Sequence, residues 1–209
     1  MKIAVIGANG RVGNRITEGL VKHGEDVTAF VRNQNHSAAS QAVIKDVFDL
    51  NKDDLAGFDV VVDALGGWTP ETVDVIEDGE KKLADLLEGT NIRLVVVGGA
   101  GSLYTDAAHT KTLMDGEDFP EIFVPVATAH AKALADLRKR KDLNWTYISP
   151  AADFQADGER TGKVIEAGED FTLNRKGQSV ISYADYADAF VNEVLNPTHN
   201  KERISFLQA

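Results

Sequence analysis

The first twenty residues place a strand, a glycine-rich turn and a helix directly after one another. Residues Ile3–Ile6 form a short apolar run, which is typical of a buried parallel strand. Apolar residues then recur with helical spacing at Val12, Ile16 and Leu20, and glycines separate the two segments at positions 7, 10 and 13. A strand that leads through a tight turn into a helix is the opening unit of an α/β domain, so we predict an α/β fold.

The three glycines each have a physical role in such a turn. Gly7 lets the chain leave the strand sharply, Gly10 lets backbone amides approach a pyrophosphate, and Gly13 lets the helix pack closely on the strand. The helix N-terminus adds free N–H groups and the positive end of the helix dipole. The spacing is one residue longer than the commonest dinucleotide fingerprint, and a tight turn can use glycines without any ligand. The position between a strand and a helix nevertheless favours a dinucleotide cofactor.

Composition and charge exclude several classes of protein. With 209 residues, of which 43% are hydrophobic, the chain can bury the core of one domain, and we expect a single domain over residues 1–209. The net charge of -11 argues against binding to nucleic acids or anionic membranes, which need basic surfaces. The chain lacks cysteine and its histidines lack ligand spacing, so we expect no metal site. The N-terminus lacks the apolar region of a signal peptide, which favours a cytoplasmic location.

The rest of the chain alternates apolar strands with amphipathic helices. Strands are predicted at residues 26–31, 43–46, 58–65, 92–97, 145–149 and 203–207. Helices are predicted at residues 70–87, 126–140 and 183–195, the first with Thr69 as its N-cap and the last with Ser182. This order predicts a doubly wound parallel sheet with helices on both faces. The irregular residues 103–125 and 151–181 are predicted to form a small lobe on the substrate side.

The end of the second predicted strand bears on the identity of the cofactor. In dinucleotide-binding folds, a carboxylate at this place binds the ribose 2′-hydroxyl, whereas an arginine can receive a 2′-phosphate. Arg32 stands there with no carboxylate beside it. We therefore expect NADPH, with NADH possible, although an arginine at a strand end can also be a solvated residue without a ligand.

Five motifs, taken in order along the chain, resemble those of the atypical short-chain dehydrogenase/reductases. They are Gly7–Gly13, Val95–Leu103, Trp145–Pro150, Gly158–Gly162 and Ile181–Ala189. More narrowly, the chain is similar to the bacterial NADH-flavin reductases, which are relatives of biliverdin reductase B and of nitrogen-metabolite-repressor-like proteins. The resemblance covers nearly the whole chain. It implies a Rossmann-like domain that binds NAD(P)H and presents the nicotinamide to a planar acceptor.

The resemblance also implies which residues hold the cofactor. The pyrophosphate would be held by Gly7, Asn9, Gly10, Arg11, Val12 and Gly13, and the 2′-phosphate by Arg32. The adenine would be flanked by Asp46 and Val47, the cofactor lined by Ala64, Leu65 and Gly66, and the nicotinamide faced by Pro150. These positions follow predicted strands, and the carboxyl ends of parallel strands lie at one edge of a sheet, so we expect a single crevice.

For catalysis, the resemblance places Ser102 at the position of the superfamily's catalytic serine. If Lys132 is the lysine of the superfamily's Tyr-x-x-x-Lys motif, the tyrosine position holds Thr128, so the usual proton donor is missing. His130 and Lys132 are the remaining candidate donors. Carbonyl reduction needs a general acid, whereas a flavin delocalises the charge that hydride transfer builds. The missing tyrosine therefore argues against ordinary alcohol and ketone chemistry.

The sequence thus predicts an NAD(P)H-dependent reductase that transfers a hydride to a free flavin or a similar planar, quinone-like acceptor. The acceptor is expected to be a small molecule, and the protein a monomer or a homodimer. Trp68, Tyr104 and Phe154 could stack on an acceptor ring, although single aromatic residues near loops are more often packing residues. An alternative is a non-catalytic redox sensor that binds the dinucleotide and a protein partner. An isomerase or epimerase is less favoured because the tyrosine is missing.

Overall fold

The structure, a computed structural model, describes all 209 residues of the chain. It contains ten strands: β1 Lys2–Ile6, β2 Asp26–Val31, β3 Gln41–Ile44, β4 Val60–Asp63, β5 Arg93–Val97, β6 Asn144–Ser149, β7 Asp153–Gln155, β8 Val164–Ala167, β9 Val180–Ser182 and β10 Glu202–Gln208. It contains five α-helices: α1 Arg11–Lys22, α2 Lys52–Leu55, α3 Asp74–Leu87, α4 Val124–Leu137 and α5 Tyr183–Leu195. Short 3-10 helices lie at Val47–Asp49, Leu113–Asp115 and Glu121–Phe123. None of the α-helices has both the length and the apolar character that crossing a membrane requires.

Eight strands form one sheet in the order β3-β2-β1-β4-β5-β6-β10-β8. All neighbouring strands pair in parallel except β8, which is antiparallel to β10. The chain adds strands outward from β1 in one direction and from β4 in the other, so the strand order reverses between these two strands. In open α/β sheets, ligands bind in the crevice at such a reversal, outside the carboxyl ends of the strands. The predicted doubly wound, Rossmann-like fold is confirmed, and we call this carboxyl-terminal edge of the sheet the ligand edge.

Helices cover both faces of the sheet, which explains why its central strands are apolar at nearly every position. Along β1, Ile3 and Val5 belong to one hydrophobic core, and Ala4 and Ile6 belong to the other. The first core lies beneath α1 and α5, and the second lies beneath α3 and α4. Side chains alternate between the two faces of a strand, so a strand buried on both faces needs a continuous apolar run. This packing holds β1 firmly, and its carboxyl end carries the glycine turn.

Helix α3 begins later than the sequence predicts. The prediction placed its N-cap at Thr69, but the helix starts at Asp74. The hydroxyl of Thr72 accepts hydrogen bonds from the amides of Trp68 and Thr69, over 3.2 and 3.1 Å, and these bonds close a turn before the helix. A threonine side chain that satisfies nearby backbone donors competes with helix formation, which is why the helix is shorter.

Three other elements also differ from the prediction: β3, α4 and β4, which spans Val60–Asp63 where residues 58–65 were predicted. Strand β3 lies two residues earlier, because the carboxylate of Asp46 caps the 3-10 helix that follows it. Helix α4 begins at Val124 and ends at Leu137, whereas residues 126–140 were predicted. Pro125 lies in the first turn of α4, where a helix needs no amide hydrogen, so it begins the helix instead of preventing it.

The two irregular segments, residues 103–125 and 151–181, contact each other. The amide of Tyr104 donates to the carbonyl of Glu169 over 2.9 Å, and the amide of Phe171 donates to the carbonyl of Tyr104 over 2.8 Å. Strands β7 and β9 form a separate, two-stranded parallel sheet beside them. These segments therefore lie together, and the contacts of Arg203 with Ser102 and Glu169 join both of them to β10.

Candidate functional site

Steric constraints require glycine at two positions of the turn between β1 and α1. Gly7 has a φ of +81°, in the left-handed region that favours glycine, and a Cβ there would lie 2.6 Å from the carbonyl oxygen of Ala64. A Cβ on Gly13 would lie 2.4 Å from the carbonyl oxygen of Gly7. The start of α1 therefore rests directly on the ends of β1 and β4, where the strand order reverses. This close approach brings together three of the residues that were expected to hold the cofactor.

The first turn of α1 presents unpaired hydrogen-bond donors. The amides of Arg11, Val12 and Gly13 donate to no acceptor within the protein, whereas the amide of Asn14 donates to the carbonyl of Gly10 over 2.8 Å. No side chain caps the helix, and its first turn contains no acidic residue. Free amides at the positive end of a helix dipole form a site for phosphate groups. The residues present therefore fit the pyrophosphate of a dinucleotide.

Asn9 connects the glycine turn to the loop that follows β2. Its side-chain amide donates to the carbonyl of Gln34 over 2.8 Å, and its side-chain oxygen accepts from the amide of His36 over 2.8 Å. These bonds occupy the Asn9 side chain, so it positions the loop. Arg32, the first residue of this loop, is exposed and forms no hydrogen bond or ion pair, and residues 32–41 contain no carboxylate. Arg32 is therefore free to meet an anion at the ligand edge.

Residues that follow β3 and β4 lie on the face of the sheet that α3 covers, where Val47 belongs to the core and Leu65 packs against it. The carboxylate of Asp46 accepts from the amide of Phe48 over 3.0 Å, and the side chain of Val47 is buried in the core. Only the backbone of Val47 can therefore contact an adenine. Leu65 is half-buried, and Gly66 is exposed with no atom within 4 Å of an added Cβ. These residues leave an open surface beside the glycine turn.

Two buried carboxyl groups, which no pattern in the sequence indicated, lie behind the ligand edge. Asp63 ends β4 and is 3% exposed, and Glu80 on α3 is 2% exposed. The Asp63 carboxyl group accepts from the amide of Leu65 over 2.9 Å. Burial raises the pKa of Asp63 to about 7. Burial, together with the nearby Asp63, raises the pKa of Glu80 well above its usual range. Because ionisation would place charge in the apolar interior, both groups favour the protonated form.

The variant Asp63→Asn should gain stability over the wild type as the pH rises from about 4 to about 7. A carboxyl group with a raised pKa stabilises the fold below its unfolded pKa of 3.8, and this contribution is lost as the pH rises through the folded pKa of about 7. Asparagine keeps an acceptor for the Leu65 amide but does not titrate. In urea unfolding near pH 8, we expect the variant to be more stable by on the order of 1–3 kcal/mol.

The exposed Asp118 provides the control for this prediction. Asp118→Asn removes an exposed acidic group that forms no side-chain hydrogen bond, so it measures the effect of losing one negative charge alone. If the stability difference between Asp63→Asn and the wild type is the same near pH 5 and near pH 8, Asp63 does not titrate in this range.

Ser102 follows β5 and is half-buried. Its hydroxyl oxygen accepts from Nη1 of Arg203 over 3.3 Å, and its carbonyl oxygen accepts from Nη2 over 3.2 Å. The Arg203 side chain is completely buried and pairs with Glu169. The residue at the expected catalytic position is thus held by an arginine of the last strand. Sequence reasoning missed this arginine, because 101 positions separate it from the serine and no local pattern connects them.

His130 and Lys132 both lie on α4 but have different surroundings. The His130 ring packs against Gly99, and its Nδ1 lies 3.3 Å from the hydroxyl of Tyr147. Burial lowers the pKa of His130 to about 4, so the imidazole is neutral at neutral pH. Lys132 is exposed, and its Nζ lies 3.2 Å from Oε2 of Glu77 on α3. No hydrogen bond joins these two side chains to each other or to the candidate serine.

The segment after β6 and the inner face of α4 complete this side of the edge. Pro150, directly after β6, is buried, and the hydroxyl of Ser149 donates to the carbonyl of Gly99 over 2.8 Å. Thr128 stands where the superfamily's tyrosine is expected; it is half-buried, and its hydroxyl forms no hydrogen bond within the protein. Threonine is not one of the side chains that usually act as general acids. The side chain at the expected tyrosine position is therefore not a strong acid.

An exposed aromatic pair, Trp68 and Phe123, also lies at the ligand edge. Trp68, in the loop after β4, is 69% exposed, and Phe123, directly before α4, is 45% exposed. Their ring centroids are 6.3 Å apart in an edge-to-face arrangement. The other two aromatic residues considered from the sequence are engaged elsewhere, since Tyr104 stacks on His109 and Phe154 packs against two tyrosines of α5. Of the three, Trp68 is the one that remains exposed.

Comparisons with known proteins agree with this geometry. The family model described as NAD(P)H-binding matches residues 7–197. A crystal structure from Streptococcus pneumoniae, described as "a putative NADH-flavin reductase", is 52% identical, with a TM-score of 0.97 over 100% of both chains. YwnB of Bacillus subtilis, described as uncharacterized, is 41% identical over 98% of this chain and 97% of its own. A "putative epimerase" from Bacteroides thetaiotaomicron is 34% identical, with a TM-score of 0.81 over 99% of this chain and 96% of its own.

These similarities extend over the whole domain and include the glycine turn. The NAD(P)H-binding family model covers the turn, the loop with Arg32 and the segment with Ser102. The cofactor is therefore a nicotinamide dinucleotide, bound by a fold of the oxidoreductase type. The chain belongs to the NAD(P)H-binding family, as an atypical short-chain dehydrogenase/reductase.

Proposed function

We propose that this protein is an NAD(P)H-dependent reductase that transfers a hydride to a free flavin or to a similar planar, quinone-like acceptor. One observation carries the proposal: the ligand edge has a dinucleotide cradle and an exposed aromatic pair, but no acid placed for proton transfer. Thr128 occupies the tyrosine position, and His130 is neutral and lies against Tyr147. The relative from Streptococcus pneumoniae, whose description names an NADH-flavin reductase, supports the same class of acceptor.

A planar conjugated acceptor suits a site without a strong acid. When bound, the reduced nicotinamide supplies a hydride, and a flavin or quinone spreads the resulting negative charge over its ring system. A ketone would concentrate this charge on one oxygen and would need a general acid. The protein then has to bind the two partners, align their rings and exclude water, and this orientation lowers the barrier.

Different residues of the ligand edge bind the different parts of the cofactor and border the acceptor. The free amides in the first turn of α1 donate to the pyrophosphate, and Arg32 binds the 2′-phosphate of NADPH. The backbone of Asp46 and Val47 borders the adenine, and residues 64–66 line the cofactor. Pro150 provides the wall behind the nicotinamide. Ser102 and Lys132 border the reacting end, whereas His130 supports the fold there through Tyr147.

We assign the acceptor ring to the aromatic pair. A Cβ on Gly101 would lie 2.6 Å from the Cβ of Ala127, so the residues before Ser102 touch the first turn of α4. Phe123 directly precedes this turn, which places the pair beside the segment that carries the serine. Aromatic stacking contributes about 0.5–1.5 kcal/mol beyond the burial of area, which is enough to orient a flat ring.

The variant Trp68→Leu should raise the KM for the flavin by roughly 3- to 10-fold, because it removes a stacking surface and keeps an apolar side chain. The Kd for NADPH should be unchanged. Steady-state kinetics with FMN measure the first quantity, and fluorescence provides a second readout. Trp145 is 2% exposed and Trp68 is 69% exposed, so the part of the quenching by FMN that requires ring contact should come from Trp68 and be absent in Trp68→Leu.

Ile44→Ala is the matched control for the aromatic pair. Ile44 is also an exposed apolar residue, but it lies on β3 at the far side of the sheet. Its replacement should leave the KM for FMN unchanged. An unchanged KM in Trp68→Leu, or fluorescence that FMN does not quench, would show that the acceptor binds elsewhere.

A further inference from the structure

We propose that Arg203 is a positioning residue that directs the Ser102 hydroxyl toward the acceptor, an inference that rests on the proposed reductase function. The sheet register sets Arg203 beside Tyr147 of β6, level with Val96 near the end of β5. From there the buried guanidinium reaches both the hydroxyl and the carbonyl of Ser102, over 3.3 and 3.2 Å. One side chain thus holds the serine at two atoms.

The chemistry of this contact determines which atom of the serine remains available. A guanidinium has donors only, so Ser102 Oγ acts as the acceptor. The hydroxyl hydrogen of Ser102 is then free to be donated in another direction, and no acceptor within the protein receives it. The serine is half-buried at the ligand edge. A carbonyl oxygen of a bound acceptor, which both flavins and quinones have, is a suitable partner for this hydrogen.

The buried charge strengthens the arrangement. Arg203 pairs with the carboxylate of Glu169, and Arg138 pairs with the same carboxylate over 2.6 Å. The guanidinium carbon of Arg203 lies 5.8 Å from the ring centroid of Tyr104. Because two guanidinium groups share one carboxylate, positive charge remains beside the serine. Oriented donors and positive charge in a buried site stabilise negative charge that develops on a reacting group.

The role of the serine follows from the negative charge that the hydride transfer leaves on the acceptor. The C–H bond of the reduced nicotinamide breaks. The hydrogen moves to the acceptor together with the electron pair of this bond, and the pair forms the new bond between the hydrogen and the acceptor. The nicotinamide is oxidised, and the acceptor gains two electrons and a negative charge until it takes a proton from water. Ser102 donates a hydrogen bond to the acceptor's carbonyl oxygen during this step and keeps its own proton. Arg203 holds the hydroxyl in the direction that this bond needs.

A double-mutant cycle tests whether Arg203 acts through the serine. We expect Ser102→Ala to lower kcat for FMN reduction about 100-fold and Arg203→Lys about 10-fold, because the first removes a donor and the second misaligns it. The double variant should match Ser102→Ala, since the arginine has nothing to orient once the hydroxyl is gone. The Kd for NADPH should stay within about 2-fold of the wild-type value in all three variants.

Arg93→Lys is the matched control for the loss of a buried arginine. Arg93 pairs with Glu193 over 2.5 Å and donates to the hydroxyl of Thr146, but it begins β5 and lies at the opposite end of the sheet from Ser102. This variant should lose stability without a change in kcat. If Arg203→Lys does not fold, Glu169→Gln takes its place in the cycle, because Glu169 anchors the same guanidinium.

The possible outcomes separate this proposal from the proposed function. Additive losses in the double variant would overturn the role of Arg203, because they would show an effect on the fold that does not pass through Ser102. Unchanged kcat in Ser102→Ala would overturn it as well. Either result, obtained with an active wild type, leaves the reductase function in place. A wild type that reduces no flavin and no quinone would overturn the reductase function, and this inference with it.

Discussion

The variant Gly13→Ala should lose high-affinity binding of the cofactor and part of its stability. An added Cβ would lie 2.4 Å from the carbonyl oxygen of Gly7 and 3.1 Å from the Cβ of Ala64, and neither the backbone oxygen nor the short side chain can move aside. Helix α1 must therefore shift away from the ends of β1 and β4, and its free amides move with it. We expect the Kd for NADPH to rise at least 100-fold, on the order of 3 kcal/mol, and unfolding to become easier by about 1–3 kcal/mol.

Gly19→Ala, in the same helix, is the control for this prediction. Its Cβ would lie 2.9 Å from Cγ2 of Val191, a side-chain atom on α5, far from the first turn of α1. Repacking at this contact should change the thermal unfolding temperature while the Kd for NADPH stays the same. Calorimetric titration of both variants measures the affinities. If folded Gly13→Ala binds NADPH as tightly as the wild type, the turn does not hold the pyrophosphate.

The variant Arg32→Ala should change the preference between the two cofactors. Arg32 is exposed, free of protein partners and directly after β2, so its guanidinium can form charge-assisted hydrogen bonds to a 2′-phosphate. Such bonds contribute about 1.5–3 kcal/mol. We therefore expect the Kd for NADPH to rise roughly 10- to 100-fold, because each 1.4 kcal/mol is a factor of ten. The Kd for NADH, which has no 2′-phosphate, should change by less than about 2-fold.

Arg175→Ala provides the matched loss of charge. Arg175 is also exposed and free of ion pairs, but it lies in the irregular segment before β9. It should leave both affinities unchanged, which separates a specific contact from a general effect of net charge. Equal weakening of NADPH and NADH by Arg32→Ala would remove Arg32 from the 2′-phosphate site.

Features that depend on neighbouring residues could be predicted from the sequence. The unit of β1, glycine turn and α1 follows from an apolar run, glycines and helical periodicity within the first 22 residues. The last helix was predicted at residues 183–195 and is observed there, because Ser182 caps it through a hydrogen bond to the amide of Asp185. In both cases the forces act over a few residues, and the residue types show them directly.

Features that depend on distant contacts could not be predicted in the same way. The raised pKa of Asp63 depends on its complete burial at the end of β4. The contact between Ser102 and Arg203 joins two segments that only the finished sheet brings together. The sequence thus indicated the cofactor edge, but not the polar groups behind it.

The most direct test of the account is the oxidation of NADPH and NADH by the purified protein in the presence of FMN, FAD, riboflavin or a quinone. The absorbance of the reduced nicotinamide reports the rate. We expect turnover with a flavin or the quinone that clearly exceeds the rate without protein, and a lower KM for NADPH than for NADH. Tight binding of the dinucleotide without turnover of any of these acceptors would contradict the reductase and would favour a non-catalytic redox sensor.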